Sequence, residues 1–281
     1  MSICKNTPSV ERTISPAAIA RCASRALREE LAAYPKPGLV SHVDNGSHPD
    51  MDAACFLNSI DCLEPFFERM AESGAQGCSL RALQKIGVAA EEAMWTATGG
   101  RNTHRGAIFC LGLLAAAAGR RENGGISSLG EIVENCWGRD LLLPDALPGI
   151  SDGIAMCHRH GIAGARGEAK RGFPSVYGIG LPALRNTLPH APRSVASVQV
   201  FFEILAHCED TTLLKRGGAD GLRYAREEAS RFLDRGGVLR AGWETDALGI
   251  HRAFVARQLT AGGAADLLAA TLFVHHLEEL S

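Results

Sequence analysis

The feature that most constrains the fold is an almost wholly apolar run, AIFCLGLLAAAA, at residues 107–118. A helix that is apolar on all sides has to be buried, and this run is too short to span a bilayer. It directly follows the polar stretch GGRNTHRG at 99–106, in which Asn102 or Thr103 is a natural N-cap. We therefore expect a central helix whose polar N-terminus opens inside the molecule or at the floor of a cleft, where it could bind an anion.

Helical periodicity extends along most of the chain, and strand signals are nearly absent. We predict one all-α domain of about ten helices over residues 15–281, after a loosely ordered N-terminus at 1–14. The predicted helices begin at Ser15-Pro16, at Pro49 and at the cap Ser151, and cover 79–97, the run after 106, 129–137, 176–187, 194–208, 219–234, 245–260 and 264–279. Residues 39–48 and the glycine-rich 161–174 are predicted to be irregular connectors.

Composition and missing motifs exclude several classes of protein. A formal net charge of −2 provides no general attraction to nucleic acid. The nine cysteines are scattered without a CxxC pair, which favours reduced thiols in a cytoplasmic protein. The N-terminus lacks the apolar core of a signal peptide. No P-loop is present, so a nucleotide would be held in another way. We expect a cytoplasmic protein with neither a nucleic-acid nor a membrane partner.

Two polar clusters precede the central run. Lys36, in PKPG at 35–38, is carried on a stiff turn that suits phosphate binding, although a solvated loop lysine is the ordinary alternative. In NGSHPDMD at 45–52, His48, Asp50 and Asp52 could bind Mg²⁺ or act as a base and its orienting group. The alternative is structural, because Ser47 with Asp50 fits a capping box.

Three polar clusters follow the central run. In GARGEAK at 164–170, Arg166 and Lys170 could cradle phosphate and Glu168 could hold a metal, or the segment is only a surface loop. In HCEDTTLLKRGG at 207–218, Asp210 is either functional or the N-cap of a helix that ends at the glycines. Asp266 lies in the first turn of the last helix, where capping is again the simpler interpretation.

Each cluster is weak alone, but their order along the chain is specific. The motifs are PKPGLV at 35–40, NGSHxDM at 45–51, NTHxG at 102–106, RGEA at 166–169 with GFP at 172–174, DTxL at 210–213 with RGG at 216–218, and GGxADLL at 262–268. In this arrangement the chain resembles the triphosphoribosyl-dephospho-CoA synthases over residues 15–279. One departure is Arg105, where many relatives carry lysine. The charge is kept, but a guanidinium that can donate two parallel hydrogen bonds replaces a compact ammonium group.

The resemblance implies an all-α pentosyltransferase that takes ATP and 3′-dephospho-CoA. It would attach the 5-triphosphoribosyl unit to the ribose 2′-hydroxyl and release adenine, producing the precursor of the prosthetic group on an acyl-carrier subunit. SHVD at 41–44 favours malonate decarboxylase over citrate lyase as the recipient. Mg²⁺ would accompany the triphosphate. A transient contact with the machinery that modifies the carrier protein, and a homo-oligomer, are both compatible with this assignment.

Displacement of adenine passes through an oxocarbenium-like state. The reaction needs a base that removes the proton of the acceptor hydroxyl, a way to neutralise the charge on the leaving adenine, and groups that hold the triphosphate in place. The sequence does not assign acid and base individually; a protonated histidine or a carboxylic acid could assist the leaving base. The candidate catalytic residues are His48, Asp50, His104, Glu168 and Asp210. The candidate metal ligands are Asp50, Asp52, Glu168 and Asp210. The candidate substrate-binding residues are Lys36, Asn45, Ser47, Asn102, Thr103, Arg105, Arg166, Lys170, Thr211, Arg216, Gly217, Gly218 and Asp266.

Two other functions fit the same clusters. A Mg²⁺-dependent all-α hydrolase of an ADP-ribosyl or nucleotide substrate would use the acidic residues with water as the acceptor. A helical adaptor without turnover would bind the carrier subunit instead, and would then tolerate Asp210→Asn and Glu168→Gln.

Overall fold

The computed structural model describes residues 14–121, 126–142 and 152–280, and these residues form the predicted all-α fold without a strand. Apart from Ile14, the segment predicted to be loosely ordered lies outside these ranges, as does the predicted cap Ser151. The α helices of the described residues are α1 (Pro16–Ala32), α2 (Ala53–Ala75), α3 (Leu80–Ala97), α4 (Arg105–Arg120), α5 (Leu129–Trp137), α6 (Asp152–His160), α7 (Gly164–Lys170), α8 (Leu181–Thr187), α9 (Arg193–His207), α10 (Thr211–Asp234), α11 (Trp243–Ala256) and α12 (Gly262–Leu280).

The apolar run forms α4, and the expectation that this helix is buried is confirmed. It packs against α1, α2, α3, α5, α7 and α12. Its closest neighbour is α2, because small residues allow the two backbones to approach. A Cβ on Gly74 would lie 1.9 Å from the carbonyl oxygen of Ala116, and a Cβ on Gly119 would lie 2.0 Å from that of Ala71. Gly74 of α2 and Gly119 of α4 are therefore required by this crossing.

The second buried helix is α12, which packs against α1, α4, α8, α9 and α10. Its residues are almost all buried from Ala264 to Leu277. The helices α4 and α12 thus form the centre of the fold, and one continuous set of buried apolar side chains surrounds them. No helix in the described part of the chain has the length and apolarity that a membrane span needs.

One predicted helix start and one possible capping box differ from the structure. The second helix begins at Ala53 rather than Pro49, with Asp52 as its N-cap: Oδ1 of Asp52 accepts the N–H of Cys55 at 2.8 Å. The capping box of Ser47 with Asp50 does not form, because the Ser47 hydroxyl donates instead to the carbonyl of Leu259 at 2.6 Å. A distant partner therefore determines what this serine does.

The glycine-rich segment 161–174 is not irregular throughout, because residues 164–170 form α7. This helix packs against α4 and α5 and buries Gly167, Glu168 and Ala169. Glycine disfavours a helix only by about 1 kcal/mol relative to alanine. Burial against two neighbouring helices is enough to outweigh that preference.

Candidate active site

A cleft with a volume of about 160 Å³ lies where the N-terminal ends of α4, α10 and α12 meet. We call it the helix-end cleft. It confirms the expectation that the polar end of α4 opens at a cleft. Its polar lining residues are Glu30, His48, Asn102, Thr103, His104, Arg105, Thr212, Thr260 and Asp266.

Asp266 occupies the N-terminus of α4. Its carboxylate accepts a hydrogen bond from the backbone N–H of Ala107, and its Oδ2 lies 1.9 Å from where a Cβ of Gly106 would stand. Burial raises the pKa of Asp266 well above its usual range, and the carboxylates of Asp210 and Glu30 raise it further. The helix end predicted to receive a substrate anion is thus filled by the protein itself, and the neutral acid is favoured there.

Asp210 joins the N-termini of α10 and α12, and its capping interpretation is confirmed. It is 1% exposed. Its Oδ1 accepts the N–H groups of Thr212 at 2.8 Å and Leu213 at 3.0 Å, and its Oδ2 accepts that of Ala264 at 3.0 Å. Burial raises the pKa of this carboxyl, while these N–H groups and that of Gly263 oppose the rise. Both oxygens are engaged, so Asp210 holds two helix ends together behind the cleft.

Lys36 is neither a phosphate ligand at the surface nor a solvated loop lysine. It is 1% exposed, and its ammonium forms an ion pair with the carboxylate of Glu30 and donates to the carbonyl of the same residue. Burial lowers the pKa of Lys36, and the neighbouring Glu30 charge opposes this shift. Since Glu30 lines the cleft, Lys36 compensates a buried charge in the wall of the site.

His104 lies at the start of α4 and is 3% exposed. Its Nδ1 contacts the hydroxyl of Ser59 at 2.7 Å, and that hydroxyl accepts a hydrogen bond from Thr103 at 2.8 Å. The ring of Phe56 packs edge-on against the imidazole at 4.9 Å. Burial, aided by the charge of Lys36, lowers the pKa of His104 to about 3. A protonated His104 at neutral pH is therefore not supported.

His48 is the second histidine of the cleft. Its Nε2 is 3.0 Å from the hydroxyl of Thr260, while its buried Nδ1 has no hydrogen-bond partner among the described residues. Burial lowers the pKa of His48, the charge of Arg216 lowers it further, and Asp50 opposes both effects. The neutral imidazole is favoured, which is the form that can act as a base.

The remaining candidates are divided between the cleft and its surroundings. Asn102, Thr103 and Arg105 line the cleft. The Oδ1 of Asn102 accepts the N–H of Arg105 at 3.2 Å, so Asn102 helps to cap α4, while Arg105 pairs with Glu91 at 2.9 Å. The others do not line it; these are Lys36, Asn45, Ser47, Asp50, Asp52, Arg166, Glu168, Lys170, Asp210, Thr211, Arg216, Gly217 and Gly218.

Several of these outer residues have structural roles. Arg216 donates to the carbonyl of Ser47 at 3.3 Å and so connects α10 to the connector before α2. Gly218 has φ 61° and ψ −162° and divides α10 into two segments, which agrees with the predicted glycine stop. Glu168 is buried and its Oε1 accepts the N–H of Ser175 at 2.7 Å. Asp50 and Asp52 are exposed, near the mouth rather than inside the cleft.

The predicted metal ligands are not assembled into one site. In the described ranges no group of three or more histidine, cysteine, aspartate or glutamate side chains is placed to hold a metal ion. Asp52 and Asp210 are used as helix caps. The residues present therefore do not fit a metal site made by the protein alone, and the magnesium ligands stay a prediction.

Sequence reasoning missed several residues of the site, among them Glu30, Ser59 and Thr260. Glu30 carried a signal, because it continues the buried stripe of α1 through Ala23 and Leu27, where a carboxylate is unexpected. Ser59 and Thr260 carried none. Their hydroxyls contact His104 and His48 across 45 and 212 residues of sequence, and no local pattern indicates such contacts.

A larger, open groove of about 590 Å³ runs along α6 and α10 and contains no predicted site residue. Its arginines are engaged within the protein. Arg223 pairs with Asp220 at 2.7 Å, Arg231 pairs with Glu228 at 2.6 Å, and Arg226 donates to the carbonyl of Cys208. We therefore place the candidate site in the helix-end cleft.

Asp210→Ala is expected to lower the free energy of unfolding by roughly 2–3 kcal/mol, because two helix N-termini lose their cap. The matched control is Asp52→Ala, which removes one exposed cap from α2 and should cost about 1 kcal/mol. Urea denaturation followed by circular dichroism measures both. Equal losses in the two variants would contradict the bridging role of Asp210.

Comparison with known proteins gives a consistent assignment. The family described as ATP:dephospho-CoA triphosphoribosyl transferase matches residues 16–281. A probable 2-(5″-triphosphoribosyl)-3′-dephosphocoenzyme-A synthase of Albidiferax ferrireducens is 37% identical, with 94% of this chain and 91% of that protein covered. The synthases of Pectobacterium atrosepticum (38% identical; 90% and 87% covered) and Klebsiella pneumoniae (36% identical; 94% and 92% covered) are similar. No solved structure matches the chain.

Proposed function

The chain belongs to the ATP:dephospho-CoA triphosphoribosyl transferase family, and on this premise we propose that it transfers the 5-triphosphoribosyl unit of ATP to the 2′-hydroxyl of 3′-dephospho-CoA. One observation carries the placement of this reaction in the helix-end cleft. Five of the six sequence motifs contribute to its lining, through Leu39, His48, residues 102–106, Thr212 and Asp266. These motifs are far apart in the chain, so a shared cleft is the simplest reason for their co-occurrence.

The reaction exchanges one bond to the ribose C1 of ATP for another. The bond from C1 to the adenine nitrogen breaks, and its electron pair leaves with adenine. The acceptor oxygen forms the new bond and gives up its proton, and adenine takes up a proton, so nothing is oxidised or reduced. His48 is a neutral imidazole in the lining and can accept the hydroxyl proton. Asp266, in its neutral form, can supply a proton to the leaving base.

Mg²⁺ fits this proposal as part of the nucleotide substrate. Magnesium commonly binds through substrate phosphates, water and only one or two carboxylates. Asp50 is exposed beside His48 and is the candidate with an unobstructed carboxylate near the cleft mouth. Arg105 lines the cleft and Arg216 donates to the carbonyl of Ser47, next to the lining residue His48, so the triphosphate would extend toward these two cations.

The product would serve malonate decarboxylase rather than citrate lyase. The support is the SHVD sequence at 41–44, immediately before the NGSH motif. Deleting the gene in its source organism should abolish growth on malonate and leave growth on citrate intact; the opposite pattern would assign the other pathway.

Incubation of the purified protein with ATP and 3′-dephospho-CoA tests the transfer itself. We expect adenine release only when both substrates are present, and a product whose mass equals the sum of the substrates minus adenine. Adenine or phosphate formed without dephospho-CoA would support the hydrolase alternative. No turnover of either kind would support the adaptor alternative.

A further inference from the structure

The buried side chain of His104 contains one unsatisfied polar atom, Nε2. It has no hydrogen-bond partner among the described residues, although the imidazole is 97% buried and lines the helix-end cleft. A buried polar atom without a partner is costly, so it is normally satisfied. Because His104 lines the helix-end cleft, a ligand bound there is the natural candidate for the missing partner.

The hydrogen bonds on the other side of the ring determine which proton His104 carries. Thr103 donates to the Ser59 hydroxyl, so the single hydroxyl hydrogen of Ser59 is left to donate to Nδ1 of His104. Nδ1 is then an acceptor, and a neutral imidazole must carry its proton on Nε2. The unpartnered Nε2 is therefore an N–H donor on a residue that lines the cleft.

The surroundings of this donor suit an uncharged aromatic ring better than a phosphate. The carboxyl groups of Glu30 and Asp266 line the same cavity, and Asp266 already occupies the helix end. Phe56 and Met51 add apolar contact area. The volume of about 160 Å³ is below the range of about 300–1,000 Å³ typical of whole-ligand pockets, so it accommodates one part of a nucleotide.

We propose that the floor of the helix-end cleft is the subsite for the adenine ring of ATP and that the Nε2–H of His104 donates a hydrogen bond to a ring nitrogen of that adenine. This inference rests on the proposed transferase function. The hydrogen bond strengthens as negative charge develops on the departing base, and no proton is transferred by His104. A fixed neutral donor in a water-excluded site is a recurrent way to stabilise such charge.

Variants of His104 combined with substrate analogues test the contact. His104→Ala and His104→Asn should lower kcat with ATP by roughly 10²-fold, the usual cost of one preorganised donor. His104→Gln should retain more activity, because its amide can place an N–H near the former Nε2. The exposed His190→Gln is the control and should leave activity unchanged.

The analogues are 7-deaza-ATP, 3-deaza-ATP and 1-deaza-ATP, each of which lacks one of the three acceptor nitrogens of the adenine ring. With the analogue whose missing nitrogen is the acceptor, wild type and His104→Ala should react at similar rates, so that the penalty of the variant disappears. A penalty of the same size with ATP and with all three analogues would overturn the inference. The analogues alter ATP only, so the adenine of dephospho-CoA cannot produce this pattern.

A measurement without turnover separates this inference from the transferase function. In ¹⁵N–¹H spectra of the histidine rings of the full chain, His104 should show the Nε2–H tautomer, and adenine or ATP should shift its Nε2 signal. Ser59→Ala should weaken the tautomer preference. An Nδ1–H tautomer, or an Nε2 signal that adenine and ATP do not shift, overturns the inference even if the enzyme is active. A shifted signal in a protein without transfer activity would support the adenine subsite and contradict the proposed transferase function.

Discussion

Replacing Lys36 with methionine is expected to lower the free energy of unfolding by about 3–5 kcal/mol, the usual cost of removing one partner from a buried ion pair. Glu30 is 5% exposed and would be left without its counter-charge. Lys36→Met combined with Glu30→Gln should be much less harmful than Lys36→Met alone, because no charge then remains buried. Urea denaturation at pH 7 measures the three proteins.

Arg25→Ala is the matched control on the same helix. Arg25 pairs with Glu29 at 2.8 Å, but its side chain is 55% exposed, so its loss should cost less than about 0.5 kcal/mol. If Lys36→Met were as mild as Arg25→Ala at pH 7, the buried pair would not contribute to the wall of the cleft as described.

Gly106→Ala should lower the rate of adenine release by roughly 10²-fold, the effect expected when active-site groups are displaced by about 1 Å. The added Cβ would stand 1.9 Å from Oδ2 and 2.7 Å from Cγ of Asp266. The carboxyl group would have to leave the N-terminus of α4 and lose the N–H of Ala107. Overpacking of this kind also costs about 1–3 kcal/mol of stability.

Two further variants help to interpret the effect of Gly106→Ala. Gly249→Ala adds the same methyl group to an exposed helical glycine with open space around it, and should keep full activity and slightly gain stability. Gly106→Ala with Asp266→Ala removes the clash, so stability should recover while activity does not. A Gly106→Ala enzyme with wild-type rate and stability would show that Asp266 does not have to lie over Gly106.

Local patterns in the sequence were sufficient for the helical class and for most helix boundaries. Ser15 and Ser79 cap the predicted first and third helices, and Ser128 forms a capping box at α5. These signals act within three or four residues, so they can be read without knowledge of the fold. The burial of α4 followed in the same way from an apolar surface on all sides.

The partners of the polar residues were not available from local patterns. Capping and ligand or metal binding can use the same carboxylates beside the same glycines, so the sequence left both roles open for Asp210 and Asp266. Lys36 had two expected environments, and the structure shows a third, the buried pair with Glu30. Ser47 was a candidate for substrate binding or for a capping box, yet its hydroxyl donates to the carbonyl of Leu259.

The sequence by itself determined that this chain forms buried helices with polar ends, and the order of its motifs indicated the family. Only the tertiary structure decided that the ends of α4, α10 and α12 meet, and that Asp210 and Asp266 fill those ends. The physical reason is the distance along the chain over which each interaction acts. Helix formation and capping depend on neighbours a few residues away. Whether a carboxylate binds a ligand or a distant backbone N–H depends instead on how complete helices pack.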